Sequence, residues 1–484
     1  LSLDETIATL GHLVDGRIDR GEASFPVDSP KTGLKVADCP AAGLPLLEEA
    51  MTAAQAAQPG WAALSVEKRQ DYLRHMRDVL RDNLAEVVAI SALEKGAQSA
   101  ALEAYAALSF AEHYIDNAPP IDVLEDTDER IVQVVRKPVG VVVAISPWNA
   151  PILISTEKVF SALLVGNTVV AKPSPFTPLA TLRVAQLWAD ILPPGVLNVL
   201  AGDDDLGAAM VSHPATRMIS FTGSVAAGRS IAAAAAPDLK NIVLELGGND
   251  AAIVLPDVDV PAVAARVFHV AFLGGGQVCA AIKRLYVHES IYDSMVAELT
   301  HLAEQAVAAP EEEGGTVIPV TTRPQFERVR MLLEDALAHG AKPVAGGAVT
   351  RPDGYFFPPT ILTNVGPGIR VVDEEQFGPI LPVLPFSDVD DAIAQANATD
   401  FGLCGSVWTS DIELGQQLAD RLVCGTTWVN NHAEVDPRIP FGGVKHSGIG
   451  RNSGHAGLDA YAELQTQYVY KSPSRVQAEG RPSA

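Results

Sequence analysis

Two stretches of the chain carry residue types that can do chemistry on a carbonyl carbon. Val243 to Asp250 reads Val-Leu-Glu-Leu-Gly-Gly-Asn-Asp and sets Glu245 at the end of an apolar strand. Lost hydration at such a place raises a carboxyl pKa and makes a usable base near neutral pH. The run Gly274-Gly275-Gly276-Gln277-Val278-Cys279, whose cysteine lies thirty-four residues after Glu245, sets a thiol in a glycine-rich bend that leaves backbone amides uncovered for a developing oxyanion. A soft nucleophile, a water-activating base and exposed donors together predict acyl-type chemistry through a covalent intermediate.

A cysteine is most often a small buried hydrophobe, and that description suits Cys39, Cys404 and Cys424. The glycines before Cys279 and the glutamate upstream set it apart. No CxxC or Cys/His cluster has zinc spacing, so no metal is expected.

These residues need elements to position them. Helical spacing of apolar residues runs over 47–58, 66–82, 84–95 and 99–117, with Ser65 as an N-cap and Pro59-Gly60 and Gly96 as stops. Arg130 to Arg136 alternates as an exposed-face strand should, and Gln465 to Tyr470 alternates in the same way. From Val139 onward, short β-rich runs near 140–146, 167–172, 196–201, 217–222 and 241–246 are separated by helical segments near 152–164, 178–191, 205–212 and 224–235. That alternation predicts an α/β fold with a parallel sheet covered on both faces, a nucleotide-binding architecture of Rossmann type. No GxGxxG follows the first strand, and Gly448-Ile449-Gly450-Arg451-Asn452-Ser453-Gly454 has the wrong spacing and reads as turn chemistry. After Cys279 a second set of strands and helices includes Arg284–His288, Ile291–Val307, Arg328–His339 and Asp390–Ala398.

Glu-Leu-Gly-Gly at 245–248 and Gly-Gln-x-Cys at 276–279 resemble the two signatures of the NAD(P)-dependent aldehyde dehydrogenase superfamily, and family-like motifs extend from Pro147 to Arg451. The resemblance implies a cofactor-binding domain from 1–117 and 138–245, a catalytic domain from 246–446 and a return segment at 447–463. It also implies a small β oligomerisation arm from 118–137 and 464–484, hence a homodimer or homotetramer. It makes Cys279 the nucleophile, Glu245 the base that hydrolyses the thioester, and Asn149 in Pro-Trp-Asn-Ala-Pro the oxyanion donor. Trp148, Lys172, Ser174, Gly223, Ser224, Gly247, Glu375 and Phe377 become cofactor residues. The rival readings are a branch that passes the thioester to coenzyme A, which generally lacks the glutamate, and a catalytically idle homologue, which has no need of all three groups.

Pro175 stands where several family members place a glutamate that accepts both adenosine-ribose hydroxyls, so a barrier to NADP is missing and either NAD or NADP is expected. Gly274 replaces a frequent asparagine, and the loop 310–320 is unusually acidic. Substrate choice rests on Ala150, Leu153, Ile154, Glu157, Val278, Ala280, Trp428 and His432. This mostly apolar set favours an uncharged aliphatic or aromatic aldehyde. Glu157 or Glu434 would draw a cationic one instead, and Arg438 is a loose candidate for a substrate carboxylate.

The whole chain has 484 residues, 48% of them hydrophobic, which is enough for two or three packed domains. Its formal net charge of −24 disfavours nucleic acid and anionic membrane as partners. The most apolar run, Val139 to Ser155, is broken by Pro147 and Pro151 and spans no bilayer. Leu1 to Glu5 lacks the basic and apolar regions of a signal peptide, and four cysteines without a framework fit a reducing, cytoplasmic setting.

Overall fold

The computed structural model describes residues 2–96, 100–118, 120–349 and 351–472. The first residue of the expected helix 99–117 and the last part of the expected arm, 473–484, therefore lie outside the described residues.

The alternating β and helical runs from 139 onward, joined by two strands from the start of the chain, form an eight-stranded sheet. In spatial order its strands are Gly448–Ile449, Asn241–Glu245, Thr216–Thr222, Val141–Ile145, Thr168–Lys172, Leu197–Val199, His12–Val14 and Arg17–Asp19. The five central strands are parallel and the outer ones antiparallel. The central strands are rich in Val, Ile and Ala and buried on both faces, as a sheet covered by helices on each side requires. Strand order reverses beside Val141–Ile145, since the chain builds outward to 197–199 and then returns to its other side at 216–222. Such a switch point opens a crevice at the carboxyl ends of the strands. Ile145 pairs with Lys172, and Thr222 with Glu245, so the strands end level and present their following residues to one crevice.

A second sheet of seven strands follows the order Lys342–Ala345, Thr360–Thr363, Ile380–Phe386, Ile282–His288, Asp250–Val254, Cys404–Trp408 and Thr426–Val429, and only its first strand is antiparallel. Arg130–Pro138 pairs along its length with Ala462–Tyr470 and, on its other edge, with Asp122–Asp126, forming a three-stranded antiparallel arm.

Two expectations about the start of the chain are corrected. Helix Leu44–Ala62 runs through Pro59 and Gly60 instead of stopping there. The proline forfeits one backbone bond in the last turn, but buried Trp61 donates its indole N–H to the Leu163 carbonyl at 3.0 Å and holds that turn in place. Ahead of that helix lie four short strands that helical periodicity does not reveal. His12–Val14 and Arg17–Asp19 are joined by Asp15-Gly16, both at positive φ, the pair that a tight two-residue hairpin favours. The segment read as turn chemistry contributes Gly448–Ile449, whose antiparallel pairing with Leu244 and Glu245 closes the sheet edge beside the proposed base.

Candidate active site

Cys279 follows a glycine turn in which Gly274, Gly275 and Gly276 all take φ between 60° and 73°. Gly276 has a second constraint, because a Cβ there would collide with the Gly378 carbonyl of the Glu375–Gly378 turn. Gln277 locks the bend: its amide nitrogen donates to the Gly274 and Pro319 carbonyls, and its amide oxygen accepts from the Thr321 N–H at 2.7 Å. The thiol is half-buried. Burial pushes its pKa up to about 12; Lys283 opposes that rise, while the carboxylates of Glu245, Glu375 and Asp250 add to it.

Asn149 sits in the turn after Val141–Ile145 and donates its amide N–H to the Gln277 carbonyl at 3.0 Å. One hydrogen bond thus joins the first sheet to the nucleophile loop of the second. Glu245 ends its strand 5% exposed. Its Oε1 has no hydrogen-bond partner among the described residues, and Gly442 leaves room for it, since a Cβ there would stand 2.6 Å from that oxygen. Burial raises its pKa well above the ordinary carboxyl range; Lys158 and Arg451 oppose the rise and Glu157 reinforces it. The turn Gly247-Gly248 carries the chain from the base to the second sheet, where a Cβ on Gly248 would lie 2.7 Å from the Cys279 carbonyl.

Several of the proposed cofactor residues follow the carboxyl ends of the first sheet's strands, and Glu375 and Phe377 reach toward them from the second. Lys172 ends its strand buried; that burial lowers its pKa, and Asp204 and Asp203 partly oppose the fall. Ser174 is buried and its hydroxyl accepts from the Phe176 N–H. Ser224 N-caps helix Val225–Ala235, accepting from the Ala227 N–H at 3.2 Å, and Gly223 donates to the Glu245 carbonyl. Beside that turn, the buried Thr222 hydroxyl has no partner among the described residues. Across the crevice, Glu375 Oε1 accepts from the Gly248 N–H at 3.0 Å and stands 3.7 Å from the Lys283 ammonium. Its carboxylate presses so closely on Gly247 that a side chain there would collide with it. Phe377, at φ 48°, meets Trp148 edge to face with ring centres 5.3 Å apart. A strand-end lysine, a helix N-terminus, an orphaned hydroxyl and a carboxylate reaching over from the second sheet fit an anionic dinucleotide.

The profile of the aldehyde dehydrogenase family matches residues 18–467. Aldehyde dehydrogenase LUC3 of Fusarium is 35% identical over 467 residues, which cover 96% of this chain and 99% of the relative. The chain belongs to the aldehyde dehydrogenase family. Among solved structures, an NAD+ complex of aldehyde dehydrogenase from Bacillus cereus superposes with a TM-score of 0.93 at 31% identity, covering 97% of this chain and 98% of the other. An NADP-dependent enzyme of E. coli superposes at 0.92 and 31%, covering 96% and 99%. The reaction of this aldehyde dehydrogenase is the NAD(P)-dependent oxidation of an aldehyde to its carboxylic acid.

The aldehyde dehydrogenase's side chains named for substrate choice divide into two groups. Trp428 and Cys279 pack with Ala280, Leu403, Cys404 and Phe441 in one apolar cluster, and Ala150, Ile154 and Val278 are half-buried. Leu153 is half-buried too but packs against the core beneath the first sheet. Glu157 and His432 face inward instead. Glu157 is buried and accepts from the Ser453 hydroxyl at 2.7 Å and the Tyr114 hydroxyl at 3.2 Å. His432 is fully buried under Trp428, bonded to Ser406 at 2.8 Å and facing Asp250 at 3.7 Å. Arg438 is taken up by Asp436, and Glu434 accepts from Asn431. Sequence reasoning missed Lys283 and Lys158 as members of the site. The only sequence signal for Lys283 is its place four residues after the nucleophile, at the head of a strand buried on both faces, which does not set it apart from an ordinary basic residue.

Proposed function

We propose that Cys279, Asn149 and Glu245 carry out the oxidation in that order of action. The Cys279 thiolate attacks the aldehyde carbon to give a thiohemiacetal, while the Asn149 amide and the Cys279 backbone N–H take the negative oxygen. A bound nicotinamide supplies the hydride acceptor, which leaves a thioester on Cys279. Glu245 then takes a proton from water, the hydroxyl oxygen adds to the thioester carbon, the C–S bond breaks, and the acid leaves with the thiolate restored. The observation that carries this reading is the Asn149 bond to Gln277, because it draws the oxyanion donor of one sheet to the nucleophile loop of the other. Glu245→Gln should retain a burst of NAD(P)H on mixing with aldehyde yet lose steady turnover; a variant with no burst contradicts this division of roles.

Trp148, Lys172, Ser174, Gly223, Ser224, Gly247, Glu375 and Phe377 hold the cofactor, with the first sheet and its helices (1–117, 138–245) as its domain and 246–446 as the catalytic one. Pro175 offers no carboxylate to repel a 2′-phosphate, but Asp203 and Asp204 stand near Lys172, so the enzyme uses both NAD and NADP. An advantage for NAD of about a hundredfold or more in kcat/KM would refute dual use. The substrate is an uncharged aliphatic or aromatic aldehyde, because the residues packed with Cys279 are apolar and Glu157, Glu434 and Arg438 already have partners. A panel of neutral, cationic and carboxylated aldehydes tests that choice. The arm exposes Ile121, Val123, Leu124, Leu464 and Tyr468, an apolar surface that supports a homodimer or homotetramer. Among the described residues no helix is long and apolar enough to cross a membrane, and the cysteines, all unpaired, fit a cytoplasmic setting.

A further inference from the structure

Lys283 touches both the nucleophile loop and the cofactor clamp, and nothing in the proposed chemistry uses it. It lies on strand Ile282–His288 with its side chain 2% exposed. Its ammonium donates to the carbonyls of Val278 at 2.7 Å and Cys279 at 3.2 Å. A third direction is taken by Glu375 Oε1 at 3.7 Å, and the ring of Phe377 lies 5.7 Å away. The charged groups facing the sulfur come from every element around it: Glu245 from the first sheet, Asp250 from strand Asp250–Val254, Glu375 from the turn after helix Arg370–Asp373, and Lys283 itself. Buried His432 faces Asp250 and Lys283 from the far side.

We propose that Lys283 is a positioning residue that links occupancy of the cofactor clamp to the charge state of Cys279: its ammonium is shared between Glu375 and the nucleophile loop, and recruitment of Glu375 by the cofactor's ribose hydroxyls releases that charge to the sulfur. While Glu375 faces Lys283, its own charge opposes a thiolate and offsets the ammonium. Both effects weaken when the carboxylate turns to hydroxyl donors, because an ion pair in this water-poor setting is felt strongly over a few ångströms. The thiolate then forms when a hydride acceptor is present and stays scarce when none is. This rests on the reading of Cys279 as nucleophile and Glu375 as ribose clamp.

The test is the rate of Cys279 alkylation by iodoacetamide, followed by peptide mass spectrometry on the full-length protein across about pH 6.5 to 9.5, where thiolate fraction sets the rate. In the wild type, saturating NAD+ or NADP+ should move the rate profile to lower pH by about one unit or more. Lys283→Arg keeps the charge and should keep that shift, whereas Lys283→Met should react slowly and show none. Glu375→Gln removes the opposing charge, so without cofactor its profile should already approach that of the loaded wild type. A cofactor-induced shift that survives in Lys283→Met overturns the proposal, as does a Glu375→Gln profile identical to that of the unloaded wild type. If instead alkylated wild type still oxidises aldehydes, the assignment of Cys279 fails, and the pairing of Lys283 falls with it.

Discussion

Glu245 and Glu375 are two carboxylates whose pKa values are raised by the same cause, burial, yet their surroundings differ in the way that their opposite proposed tasks require. Glu245 has an oxygen with no partner among the described residues and glycine at the position that borders it. Glu375 is tethered by the Gly248 amide, faces the Lys283 ammonium and presses on Gly247. A buried carboxylate oxygen without a partner suits proton uptake from water, whereas an Oε1 bonded to a backbone amide and facing an ammonium suits holding and orienting. The difference lies in the neighbours: Glu245 ends a strand of the first sheet beside glycine, whereas Glu375 sits in the turn between helix Arg370–Asp373 and strand Ile380–Phe386, where the Gly248 amide and Lys283 hold it.

Substitution of each by glutamine should separate the two roles. Glu245→Gln removes the proton acceptor for thioester hydrolysis, with an expected loss of about 10²–10⁴-fold in steady-state kcat. The acyl-enzyme should accumulate and be visible as a mass adduct on Cys279. Asn149→Ala acts one step earlier, and losing one oxyanion donor should lower kcat by about 10²–10³-fold and remove the burst as well. Glu375→Gln should cost less, about tenfold, felt as a weaker hold on the cofactor and a less well placed ring. If Glu375→Gln blocked deacylation as Glu245→Gln does, the contrast between the uncommitted and the tethered carboxylate would be lost.

How far the sequence disclosed this arrangement follows from the range of each signal. The strand ends at Lys172, Thr222 and Glu245 were legible because a parallel sheet buried on both faces writes itself as short apolar runs, and ligands collect at its carboxyl edge. The Cys279 bend was legible because three consecutive glycines at positive φ leave few other readings. What stayed hidden depends on contacts far apart in the chain. Lys283 reads as an ordinary basic residue at a strand start until Glu375, 92 positions on, is found beside it. Glu157 reads from sequence as a substrate-wall residue, but the Tyr114 and Ser453 hydroxyls, on distant segments, draw it inward. The hairpin at Asp15-Gly16 was missed because strands of three residues are too short for alternation to show.

The smallest expected effect concerns stability, and it tests the same contrast without catalysis. A carboxyl whose pKa is raised on folding binds a proton in the native state over a window in which the unfolded chain, titrating near about 4.3, has lost it. Stability therefore falls as pH climbs from that value to the raised one, and the penalty stays constant above it. Burial raises Glu245 well above the ordinary range, so neutral and alkaline pH lie inside or beyond the window. Glu245→Gln carries no charge to bury, and at about pH 8 its Tm at a fixed scan rate should exceed that of the wild type by about 1–3 °C, the gain vanishing near about pH 4. Glu375→Gln should gain less at the same pH, because Lys283 and the Gly248 amide already offset part of the burial. Glutamine there also leaves the ammonium without its carboxylate. Equal gains at the two sites would show that the tether has no energetic weight, and the different duties of these glutamates would then need another cause.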